Sequence, residues 1–101
     1  MNLTSALLKQ IITQEDFESW GNLRENYLSA EYQSLYKVID KHIKSYNGLP
    51  TFEDLKLSIR DRKLQEKVFA IEAVEVEVDA YVLLEYLKNE YTQVEILDEL
   101  D

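Results

Sequence analysis

The sequence has 101 residues, of which 46% are apolar and 31% charged, with two Gly, one Pro and no Cys. One folded domain is expected at that length, disulfides and thiolate zinc sites are excluded, and so few turn residues call for mostly helix with short connections. The net charge of −9 is lopsided: residues 1–67 hold ten acids and ten Lys/Arg, whereas residues 68–101 hold ten acids against Lys88 alone.

An acidic C-terminal third repels phosphate backbones, so direct nucleic-acid binding by this domain is disfavoured. No stretch approaches the roughly 18 consecutive apolar residues of a membrane span. The start, Met1-Asn2-Leu3, lacks the basic region of a signal peptide, and Lys9 interrupts the apolar run that follows. A cytoplasmic protein with no membrane partner is the expectation.

Asn2 or Thr4 can cap a first helix, in which Leu3, Leu7, Leu8, Ile11 and Ile12 fall on one side. The segment from Gln14 to Tyr27 is interrupted by Gly21-Asn22, with Phe17, Trp20, Leu23, Tyr27 and Leu28 at three- or four-residue spacings on each side of the break. One or two short helices are expected there. Ser29 is a good N-cap, with Glu31 in the first turn, and Tyr32, Leu35, Tyr36, Ile39, Ile43 and Tyr46 form a continuous apolar stripe. Asp40 can pair with Lys44 one turn on. Asn47-Gly48 supplies the stop, and Pro50 prevents continuation.

Thr51 and Asp54 are spaced as a capping box for the next helix, whose inner face is Phe52, Leu55 and Ile59. A fifth helix starts near Asp61 and buries Leu64, Val68 and Ile71. Val74-Glu75-Val76-Glu77-Val78 alternates as a strand would, but no second strand exists to pair with it, so an extended connector is expected. Asp79 caps the last helix, which occupies residues 78–101 and runs to the end without Gly, Pro or another stop signal. That pattern suggests a chain cut within a longer helix.

The last helix carries two apolar faces. Leu84, Leu87, Tyr91 and Val94 lie at near-heptad spacing, and Val82, Leu83, Tyr86, Leu97 and Leu100 lie around the other side. A helix packing only on its own domain needs one stripe. The second can serve a partner or a deep core, and periodicity does not assign which faces outward.

The residues needed for catalysis are sparse. His42 is the only histidine, which excludes two-histidine zinc sites. There is no G-x-x-x-x-G-K-[ST] phosphate loop and no G-x-S-x-G elbow. The adjacent acids Glu15-Asp16, Glu53-Asp54 and Asp98-Glu99 read as dipole partners and solvated surface, not as a glycosidase pair. Lys56, Arg60, Arg62, Lys63 and Lys67 form a local basic segment that Glu53, Asp54, Asp61 and Glu66 dilute to mixed charge. No catalytic, cofactor or metal residue is assigned.

The order of landmarks is more informative. Leu7-Leu8 and Ile11-Ile12 are followed by Phe17, Trp20 and Tyr27-Leu28. Next come Leu35-Tyr36-x-x-Ile39, the stretch Tyr46-Asn47-Gly48-Leu49-Pro50-Thr51-Phe52-x-x-Leu55, and finally Tyr81-Val82-Leu83-Leu84 entering the last helix. This order resembles the N-terminal domain of DnaB-type replicative DNA helicases, especially those of large tailed phages. The resemblance covers nearly the whole chain, and Tyr46–Leu55 is its most specific part.

The resemblance implies an all-α fold, a compact bundle of about six helices leading into a long C-terminal helix that is the first arm of a helical hairpin. It implies a single, non-catalytic collar domain over 1–101, without cofactors, in a protein whose ATP-hydrolysing motor lies further along the polypeptide. Its partners would be the other subunits of the ring, primase and a helicase loader. The contact residues expected on the last helix are Tyr81, Leu84, Leu87, Tyr91 and Val94. A free-standing phage helicase adaptor or loader, a primase helicase-binding domain and a small carboxylate enzyme are the competing readings.

Overall fold

The computed structural model describes the backbone of residues 2–100 and the side chains of residues 2–91. The described chain is all-helical, with six α-helices, one 310 turn and no strand. No helix among the described residues is long and apolar enough to cross a membrane.

Helix α1 (Leu3–Gln14) begins where the Asn2 side chain accepts a hydrogen bond from the Ser5 N–H at 3.1 Å. It ends without glycine. Glu15 takes the left-handed conformation (φ 51°, ψ 44°), and the Asp16 N–H reaches back to the Ile11 carbonyl at 3.0 Å. This is a Schellman-type stop, in which a non-glycine residue carries steric strain of roughly 1 kcal/mol. Asp16 then caps α2 (Phe17–Asn22), accepting from the Ser19 N–H at 3.0 Å and the Ser19 hydroxyl at 2.7 Å. The break expected at Gly21-Asn22 therefore falls after Asn22, and Gly21 lies inside the helix. A 310 turn (Glu25–Tyr27) follows.

Helix α3 (Ala30–Tyr46) starts at Ser29, whose side chain makes no capping bond. The helix instead gains Gln33, whose amide donates to the Leu28 carbonyl at 2.9 Å. Asn47, in the left-handed region at φ 59°, closes α3, and Asp40 pairs with Lys44 at 2.9 Å. The Thr51–Asp54 capping box opens α4 (Phe52–Ser58), with both reciprocal bonds formed at 3.0 and 3.1 Å. Asp61 caps α5 (Arg62–Ala73) through the Lys63 and Leu64 N–H groups. The last helix, α6, spans Ala80–Leu100.

The core forms around α1. Leu7, Leu8 and Ile11 have 0% exposure, and α1 packs against α2, α5 and α6. Leu35 and Ile39 of α3, Leu55 of α4, Val68 and Ile71 of α5, and Leu83, Leu84 and Leu87 of α6 complete one hydrophobic cluster. Trp20 stacks on Tyr36 with centroids 4.6 Å apart.

The polar side chains of α1 have structural work as well. The Ser5 and Tyr32 hydroxyls lie 2.9 Å apart in the interior. Residues 74–79 are an extended connector, and α1 holds it in place. The buried amide of Gln10 donates to the Val78 carbonyl at 2.7 Å and the Val76 carbonyl at 3.3 Å, and the Lys9 ammonium donates to the Glu72 carbonyl. A lone extended segment has no ladder to satisfy its backbone, so the Gln10 amide stands in for the missing neighbouring strand, while Lys9 caps the last turn of α5. Gln10→Ala removes both amide bonds and leaves the two carbonyls short of a donor. We expect a loss of about 1–3 kcal/mol in unfolding free energy, measurable by urea titration followed through Trp20 fluorescence.

Candidate functional site

Two surfaces stand out, one on α6 and one where α3 meets the α4–α5 junction. The α6 surface is decided by how the helix sits on α1. Ala80, Leu83, Leu84 and Leu87 are buried, and their three- and four-residue spacing makes them one inward stripe. Tyr91 continues it: its ring packs 4.9 Å from Tyr27, and its hydroxyl accepts from the Asn26 amide at 3.0 Å.

Of the five residues expected to contact a partner, Leu84 (3% exposed) and Leu87 (5%) are thus in the domain's own core, and Tyr91 is half-buried against the 310 turn. Tyr81 is 62% exposed. The Val94 side chain lies outside the described residues. Near-heptad spacing found a buried stripe, and the structure directs that stripe inward.

The opposite side of α6 is amphipathic. Tyr81, Val82, Glu85, Tyr86 and Asn89 surround a shallow depression of about 290 Å³. Tyr86 is 60% exposed. Tyr81 and Glu85 also border a second hollow, shared with Asp16 and Glu18 at the start of α2 and with Lys88. Lys88 lies 3.7 Å from Glu85. The surface is therefore aromatic with an acidic rim. Sequence reasoning placed Tyr86 on the second apolar face of this helix, but missed the contribution of Asp16 and Glu18, which only the docking of α2 on α6 brings in.

The second surface is a cleft of about 390 Å³. Val38, Lys41, His42, Ser45 and Tyr46 of α3 form one wall, and Ser58, Ile59, Arg60, Asp61 and Leu64 form the other. His42 packs on the Tyr46 ring at 4.7 Å, and its Nε2 lies 4.0 Å from Asp54 Oδ2. Leu57 and Tyr46 stand beside the cleft with 84% and 73% exposure.

Serine, histidine and aspartate line this region, but they are not connected as a nucleophilic relay. Asp54 is engaged by the Thr51 N–H, and the Ser58 hydroxyl is directed to the Leu55 carbonyl at 3.5 Å. Among the described residues no group of three or more His, Asp or Glu is placed to hold a metal ion.

The basic segment divides in two. Lys56 pairs with Glu72 at 2.6 Å and lies over the Phe69 ring, Lys67 pairs with Glu31 at 3.4 Å and lies over Tyr32, and Arg62 pairs with Glu66. Arg60 and Lys63, with Lys41 across the cleft, have no ion-pair partner among the described residues.

Two further groups near these surfaces are shifted. Burial, followed by the charges of Asp40 and Glu25, pushes the Tyr36 hydroxyl up, so it stays protonated beside Trp20. The hydrogen bond that the Lys44 ammonium donates to the Asp40 carboxylate, with that group's charge, pushes Lys44 up.

No protein-family model, curated protein sequence or solved structure matches this chain.

The Thr51 N–H bonded to Asp54 holds its carboxyl below the usual range. Partial burial opposes that shift, while the Thr51 hydroxyl and His42 add to it. A depressed folded-state pKa gives stability that is fully present above the unfolded value and lost as pH falls through the folded value. Stability should therefore fall more steeply below about pH 4 in the parent chain than in Asp54→Asn, as read by urea midpoints at successive pH values.

Proposed function

We propose that this chain is the non-catalytic N-terminal collar domain of a hexameric, DnaB-type replicative DNA helicase, serving subunit assembly and the docking of primase or a helicase loader. The order of landmarks from Leu7-Leu8 to Tyr81-Val82-Leu83-Leu84 supports the family. One physical observation carries the assembly role: α6 is fixed to α1 along one face while Tyr81 and Tyr86 stand mostly in solvent on another.

In this reading α6 is the long first arm of a helical hairpin. Leu84, Leu87 and Tyr91 hold the arm on its own domain, and Tyr81, Val82 and Tyr86 meet a neighbouring subunit. Tyrosine suits that task because it carries a large apolar ring with a polar tip. Each buried ring contributes roughly 25 cal/mol per Å² of apolar surface, against which the loss of translational and rotational freedom must be set.

Reading the gene past codon 101 tests the proposal. The same frame is expected to continue into a G-x-x-x-x-G-K-[ST] loop, and the complete product to sediment as a hexamer and hydrolyse ATP faster with single-stranded DNA. A stop codon there would contradict it, and a free-standing helicase adaptor would then be the better reading.

A further inference from the structure

The two surfaces described above have opposite charge. The α6 face places Tyr81 and Tyr86 beside Glu85, and Tyr81 also adjoins Asp16 and Glu18, with Lys88 the one cation bordering these hollows among the described residues. The cleft places Lys41 and Arg60 around an apolar floor that includes Val38, Ile59 and Leu64. Asp61 is in the same wall, its carboxylate held by the N–H groups at the start of α5, so Lys41 and Arg60 outnumber it two to one around the cleft. The same asymmetry runs through the whole chain, with residues 1–67 balanced and residues 68–101 carrying the entire excess of acids.

We propose that the outward face of α6 in one copy of this chain docks into the α3–α4–α5 cleft of the next, head to tail. The occupant of the cleft is thus a second copy, with the Tyr86 ring over the apolar floor and Glu85 facing Arg60 and Lys41.

Electrostatics selects this arrangement over the symmetric ones. Two α6 faces brought together would oppose acids with acids, and two clefts would oppose Lys41 and Arg60 with their own kind. Juxtaposed like charges suppress a pairing, and complementary potentials favour one. A contact between two different patches leaves one of each patch free at the ends, so it propagates until a ring closes or a chain grows. The inference deepens the collar proposal by naming its neighbour contact, and it rests on that proposal only for its biological setting.

The experiment is sedimentation of the 101-residue chain, with Arg60→Glu to block the cleft and Tyr86→Asp to block the α6 face. Both positions are exposed, and unchanged Trp20 fluorescence verifies folding. At low salt the parent chain should grow beyond a dimer with concentration, and added salt should reverse this because the contact is charged. Each variant alone should associate at least about tenfold more weakly. An equimolar mixture should form a one-to-one dimer that grows no further, because each variant keeps the surface the other lacks.

A parent chain that stops at a dimer, or stays monomeric at all concentrations, overturns the proposal, as does a mixture no more associated than its components. Should either variant fail to fold, Lys41→Glu and Tyr81→Asp replace them with the same expected pattern, since neither restores the surface that the other lacks. A monomeric parent chain whose gene encodes a helicase motor would remove this contact and leave the collar reading in place. An assembling chain whose gene stops at codon 101 would do the reverse.

Discussion

Burial of α1 on several sides at once is the constraint on which the rest of the fold depends. Leu7, Leu8 and Ile11 are inaccessible to solvent, and α2, α5 and α6 each seal part of the surface they create. A helix surrounded in this way cannot keep its polar side chains in water. Ser5, Lys9 and Gln10 therefore bond to Tyr32, to the end of α5 and to the connector. Among the described residues no buried side-chain polar atom is left without a partner, so the α1 interior is both apolar and satisfied.

What reaches the surface follows from that arrangement. α6 must direct Leu83, Leu84 and Leu87 at α1, which turns Tyr81 and Tyr86 outward. The docking of α2 beside α6 sets Asp16 and Glu18 next to Tyr81. The ion pairs of Lys56, Lys67 and Arg62 with nearby acids leave Arg60 and Lys41 flanking the cleft. Packing thus sorts a mixed-charge sequence into one acidic aromatic face and one cationic cleft. Surfaces of that kind suit recognition of protein, and the proposed collar role uses both.

Much of the fold was legible because its signals are local. The stripe from Tyr32 to Ile43, the left-handed Asn47, the Thr51–Asp54 box and the Asp61 cap each depend on neighbours within a few residues, whereas Tyr46, read as the end of that stripe, stands in solvent. The Val74–Val78 segment was legible by elimination, since no second strand was available to it.

Signals that depend on tertiary context were not legible. Glu15 ends α1 in a conformation that favours glycine, so nothing in its chemistry announced a stop. Gln10 reads as an ordinary polar helix residue until the connector, some 66 residues on, passes over it. Two apolar faces of α6 were visible, yet their membership and destinations were not: Leu83, read on the face of Tyr86, is buried beside Leu84 and Leu87. Near-heptad spacing is the same whether Leu84 and Leu87 face their own domain or a partner.

The most direct test of the two-sided use of α6 exploits the absence of cysteine. A spin label on Asn89→Cys, which borders the same depression as Tyr86 and leaves that ring in place, is unique in the molecule, and mixing the labelled chain with unlabelled, nitrogen-15-enriched chain reports only contacts between copies. The account predicts paramagnetic broadening of amides in residues 38–46 and 58–61 of the enriched chain. Broadening centred on α6 itself, or none at any position, would contradict it.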